Sequence, residues 1–314
     1  MTKLLGACLT TITLLLATFC HADDLASEKR ICLNSNSIGP DQKSRVMLFT
    51  SKFSIYPQFN QPTVFLMQPA IQGVNPLAAM VGAIAGTLIV NGSNTSTSNS
   101  AAAFNNELNS ALASININAE LRSAIETELS KNESFKKLEF EEVAHINDLS
   151  QAGLLTRIEE PSTLTLATRI YFDAQLKSLN VESSAKIWKK NEVKPVYFSE
   201  LVYSSPYLAE SSKADLRQKW VSNNSELLLT KIREGIVEIS RMLASDISSK
   251  PVTDSNEIHP MMVEITNANT SKKLKTTLYA VQEMPDRLIG RLGSPDSSIL
   301  TSIPRTNFAV LSSN

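Results

Sequence analysis

The strongest constraint on this chain is a run of 54 consecutive residues, Phe53 to Asn106, that contains no Asp, Glu, Lys or Arg. The chain as a whole is 19% charged, so about ten charges would be expected over that length. Its centre is LAAMVGAIAGTLIV, Leu77 to Val90, entered through Asn75-Pro76 and left through NGSNTSTSNS. Ala78, Gly82 and Gly86 recur every four residues. In a helix they share one face and let a second backbone approach closely, as small-xxx-small membrane pairs do. At about 1.5 Å per residue the segment is roughly 21 Å long, short of the roughly 30 Å hydrocarbon core of a bilayer. Three states satisfy this pattern: a core helix packed tightly on a neighbour, a membrane-inserted or self-associating segment, and a buried strand, favoured locally by Thr87 to Val90. Ala78, Gly82, Ile84, Gly86 and Leu88 are the candidate contact residues of the second.

The N-terminus supplies an address. Lys3, the apolar run Leu4 to Phe19 and the small residues Cys20 and Ala22 before Asp23 predict a secretory signal peptide over residues 1–22. Lipidation of Cys20 is disfavoured, because bulky Phe19 stands where a small residue is required. Removal of the signal takes Cys8 and Cys20 with it, so Cys32 has no intrachain partner. Lys29 and Arg30 make Cys32 a candidate reactive thiol or intermolecular bridge. These features predict export from the cytoplasm, to the periplasm or the outer-membrane periphery if the source is a Gram-negative cell. A formal net charge of −1 offers no electrostatic footprint for nucleic acid. Lys186, Lys189, Lys190 and Lys194 around Trp188 read as a solvated strand end.

The remainder predicts an α+β fold: a mixed or antiparallel sheet with packed helices, plus a small C-terminal all-β module. Residues 23–44 form a polar arm, and 45–249 an α/β domain with the apolar insert 73–90 and a mobile tether 91–100. Residues 250–258 are a linker, and 259–314 the β module. Val46 to Thr50 and Thr63 to Gln68 read as strands, and Phe104, Leu108 and Leu112 as a helix face. A second helix carries Leu121, Ile125 and Leu129 behind an expected N-cap at Asn118, and Leu138 and Phe140 lie on a strand. Period-two alternation from Leu164 to Lys177 predicts one long strand with a wet face, followed by strands near 184–189 and 196–204. Lys213 to Val221 reads as a short helix. The stripe Leu228, Ile232, Ile236, Ile239, Leu243 and Ile247 makes a long one, capped by Asn224 or Ser225. Short alternating segments at 261–266, 274–282, 288–292 and 299–311 supply the β module.

No catalytic constellation emerges. His145 and His259 are the histidines left after signal removal, and no Gly-x-Ser-x-Gly, Walker loop, Gly-x-Gly-x-x-Gly or His-Glu-x-x-His occurs. Ser134 to Lys137 and Ser183 to Lys186 match Ser-x-x-Lys without a Lys-Thr-Gly companion, and the pairs Glu141-Glu142 and Glu159-Glu160 would point to opposite faces of a strand. No cofactor or metal is implied. The order of elements resembles envelope proteins of Gram-negative bacteria and the α/β domains of periplasmic assembly factors, a likeness that carries over no residues. The reading is therefore a non-enzymatic envelope protein that binds or assembles, with an envelope protein or its own copy as partner and peripheral membrane contact. A hydrolase or transferase, or a lipid or small-ligand carrier, is the alternative.

Overall fold

The computed structural model describes residues 31, 43–50, 104, 106–144, 149, 161–173, 175–192, 194–209, 212–248, 260–266 and 273–311. The signal segment, the strand expected at 63–68, the apolar insert, its tether and the linker lie outside the described residues. Alternating and β-branched segments form strands β1 (Ser44–Thr50), β2 (Leu138–Glu142), β3 (Ser162–Phe172), β4 (Leu179–Lys189) and β5 (Tyr197–Ser204). They are followed by β6 (Pro260–Thr266), β7 (Lys273–Glu283), β8 (Arg287–Leu292), β9 (Ile299–Pro304) and β10 (Phe308–Val310). The helices are α1 (Ile117–Leu129) and α2 (Lys213–Ser248), and residues 106–113 are also helical. The class is mixed α+β with strands dominant.

The ten strands among the described residues belong to one sheet, in the order β10-β6-β7-β8-β9-β5-β4-β3-β1-β2. β1 runs parallel to both β2 and β3, with Ser44 opposite Leu138 and Ser162. β3, β4 and β5 form an antiparallel meander. The strands after α2 continue the same sheet, because β9 lies parallel to β5 with Glu200 opposite Ile299. Ile31, in the expected polar arm, forms an isolated bridge with Phe198.

One face of the sheet carries the main core. Val46 and Leu48 of β1, alternate residues of β3 from Leu164 to Phe172, and Val181, Ala185 and Ile187 of β4 pack with the apolar stripes of both helices. The faces expected for α1 (Leu121, Ile125, Leu129) and for α2 (Leu228 to Ile247) are buried as the periodicity requires. The opposite face holds two smaller clusters, one around Met47, Val143, Leu149 and Trp188 and one around Val263, Leu278 and Leu288.

Three expectations need correction. Asn116, not Asn118, caps α1: its side chain accepts from the Ala119 amide at 3.0 Å. Asn118 is drawn instead into contacts with Thr50 and Glu142. The alternation from Leu164 to Lys177 is not one strand with a wet face. β3 ends at Phe172, and Asp173 accepts from the amides of Gln175 at 3.2 Å and Lys177 at 2.7 Å, which closes a turn. On the face expected to be wet, Thr165 is buried and Ala167, Arg169 and Tyr171 are half-buried. Finally, α2 is broken between its short and long parts as expected, but Asn224 and Ser225 are not extended caps. Asn223, Asn224 and Ser225 all have positive φ, at 51°, 55° and 60°.

Candidate functional site

The candidate residues Cys32, Ala78, Gly82, Ile84, Gly86 and Leu88, and both His145 and His259, lie outside the described residues. What is described are the two points where the charge-free stretch joins the fold. On one side, Thr50 ends β1 and its hydroxyl donates to Asn118 Oδ1 at 2.6 Å, while Asn118 Nδ2 donates to Glu142 Oε2 at 2.9 Å. This ties the ends of two parallel strands to the first turn of α1. On the other side, Phe104 is buried, 6.3 Å from the ring of Phe172. In the chain the stretch is thus inserted between β1, next to the last strand at one end of the sheet, and the helices that follow it.

Buried charge is concentrated where α2 crosses the C-terminal strands. Arg291 on β8 donates to Asp246 Oδ1 of α2 and, at 2.6 Å, to the Ser297 carbonyl. Tyr197 donates its hydroxyl to the other Asp246 oxygen at 2.9 Å. One helical turn pair earlier, Ser302 donates to Glu238 Oε1 at 2.7 Å and accepts from Arg287 Nε at 2.8 Å. Arg287 also donates to the Ser204 carbonyl at 2.7 Å, and its guanidinium lies 4.5 Å from the centroid of the Tyr203 ring. Tyr203 donates to Glu234 at 3.1 Å, and burial holds its phenol well above the usual tyrosine range. Each charge here is matched and hydrogen-bonded, as buried charges must be. The group acts as a latch between α2, β5 and β8–β9.

A second polar group lies on the opposite face, on β3 and β4. Arg169 and Glu182 are cross-strand partners, with Arg169 Nη2 at 2.5 Å and 2.6 Å from the two carboxylate oxygens. Tyr171 donates to the same carboxylate at 3.1 Å. Burial pushes the Glu182 carboxyl up against the opposing pull of Arg169, and burial together with the Glu182 charge pushes the Tyr171 phenol well up. Asp173, at the end of the same strand, is also raised by burial. The neighbouring shifted groups Tyr171 and Glu182, with the Arg169 guanidinium that pairs with Glu182, make this the candidate site among the described residues. Along this face Thr163 Oγ1, Asn180 Nδ2 and Trp188 Nε1 are buried without a hydrogen-bond partner. The acid of this triad is occupied by a guanidinium and a phenol.

The Glu182 shift has a measurable sign. Its folded pKa lies above the unfolded value, so folding takes up a proton in the interval above about 4.5. The stability it contributes is greatest below that value and is lost as pH rises through the folded pKa. The advantage of the wild-type chain over Glu182→Gln in urea unfolding is therefore expected to be larger at pH 4 than at pH 7. An advantage that grows with pH would show that the pairing with Arg169 outweighs burial.

The Ser-x-x-Lys matches do not become sites. Ser183 is buried on the helix-covered face, sharing a 2.8 Å hydrogen bond with Thr168, whereas Lys186 lies on the other face over the Phe198 ring. Ser134 sits in a 3-10 turn capped by Asn132. Trp188, the aromatic of the lysine cluster, is buried. Among the described residues no group of three or more His, Cys, Asp or Glu is placed to hold a metal, and no helix is long and apolar enough to cross a membrane.

Sequence reasoning missed Asp246 and Glu238, although a signal was present. Asp246 falls seven residues after Ile239 and three after Leu243, inside the apolar stripe. A carboxylate there demands a buried cation.

No family model and no curated protein matches the chain. Among solved structures, a hypothetical protein from Chlamydia trachomatis aligns at 12% identity over 67% of this chain and 99% of its own, with a TM-score of 0.29. An overlap that small carries no argument about fold or function.

Proposed function

We propose that this is a non-enzymatic envelope protein that acts as a binding or assembly factor, exported by its N-terminal signal and self-associating through residues 77–90. The observation that carries this reading is the absence of charge across Phe53 to Asn106. A soluble surface insert of that length would ordinarily be studded with charge. Support comes from its setting, an insertion into a scaffold whose buried charges tie elements to one another. The strands β6–β10 serve as a small docking module in this reading, with Met262, Val281 and Val310 exposed on them.

Subcellular fractionation with a carbonate wash separates soluble, peripheral and inserted forms of the protein. Gly82→Leu with Gly86→Leu keeps the segment apolar while removing its close-approach face. The expected result is an unchanged melting temperature with loss of the oligomer or of the pelleted fraction. A lowered melting temperature, with overpacking costing roughly 1 to 3 kcal/mol per site, would make the segment a core helix instead. Unchanged stability, assembly and fractionation would remove the proposal.

A further inference from the structure

Among the described residues, four of the five positive-φ positions other than glycine lie beside one side chain, the fifth being Asn191. Leu176, in the turn between β3 and β4, has φ 64°, and Asn223, Asn224 and Ser225, in the break of α2, are at 51°, 55° and 60°. Left-handed backbone is costly for residues that carry a Cβ, least so for a single Asn, but a run of three is unusual and persists where the surroundings over-determine it. Trp220 connects the two places. It is fully buried just before the break, and its indole N–H donates to the Leu176 carbonyl at 2.7 Å. Its ring lies 4.8 Å from that of Phe172, which in turn lies 6.3 Å from Phe104. The Arg217 guanidinium, one turn earlier on the same short helix, is 5.8 Å from the Phe104 ring centroid. Phe104 belongs to the charge-free stretch. The short first part of α2 therefore meets the point where that stretch rejoins the fold, and it is attached to the long part through strained residues.

We propose that residues 213–221 form a hinged clamp on Phe104, latched by Trp220 and turning about Ser222–Ser225. Docking holds three successive residues in left-handed backbone, and undocking frees them. The Trp220 contacts oppose that release, while the relieved backbone strain offsets part of their loss, so the clamp opens at a lower free energy than global unfolding. The clamp does not depend on self-association of the stretch.

Hydrogen–deuterium exchange on the full chain tests this with two variants. Trp220→Phe keeps a ring but removes the indole donor. It is expected to speed exchange about tenfold in 213–221 and 104–112, the equivalent of one buried hydrogen bond, with 228–247 unchanged. Asn223→Gly with Asn224→Gly lowers the cost of the docked backbone and is expected to slow exchange in 213–221 severalfold. Equal acceleration of 228–247 by Trp220→Phe, or no change in 104–112, would overturn the clamp. So would unchanged or faster exchange in 213–221 of the glycine variant, which decides the matter alone if Trp220→Phe does not fold.

Discussion

Arg291→Ala is expected to lower the unfolding free energy by about 3 to 5 kcal/mol, measured by urea denaturation. The side chains of Arg291 and Asp246 are 4% and 2% exposed, so truncating the arginine takes a buried counter-charge away from a carboxylate in the interior, whose other oxygen accepts from the Tyr197 hydroxyl. The Ser297 carbonyl loses a donor as well. The loss reflects removal of one member of a buried pair and so exceeds the net worth of the pair itself. The double variant Arg291→Met with Asp246→Leu is therefore expected to be more stable than Arg291→Ala, since apolar groups of similar volume can replace a buried pair at little net cost. A single-variant loss within about 1 kcal/mol would mean that water reaches Asp246 and that the latch is not dry.

Gly235→Val is expected to cost about 3 kcal/mol, near the upper end for overpacking, and to lower the melting temperature accordingly. Two effects compete at this position. Glycine inside a helix is worse than alanine by roughly 1 kcal/mol, so propensity alone favours alanine and, by less, valine. Packing opposes it: a Cβ on Gly235 would stand 2.4 Å from Val181 Cγ2 and 2.9 Å from Tyr203 Cδ1. Val181 is itself fully buried on the central strand β4 and has no solvent to retreat into. Packing therefore wins, and even Gly235→Ala is expected to destabilise. A gain in stability for Gly235→Ala would show that α2 can lift from the sheet at this crossing.

What the sequence determined by itself is what short-range periodicity can encode. The buried face of α1 at Leu121, Ile125 and Leu129, the stripe of α2, the break between its short and long parts, and the strands β1, β5, β6, β7 and β8 all follow from side chains within a few residues of one another. Where two local signals competed, tertiary context chose. Asn116 and Asn118 are both competent caps, and Asn118 went to Thr50, 68 residues away, and to Glu142. The alternation past Phe172 was compatible with more strand until Asp173 folded the chain back to pair Arg169 with Glu182. The strand order was not legible at all. The parallel pairing of β5 with β9 joins Glu200 to Ile299, and the latch brings Glu238 and Asp246 to Arg287 and Arg291. Contacts of such separation leave no local period, because they are fixed only when a whole sheet face is buried at once and each buried charge must find its counter-charge wherever the chain has carried it.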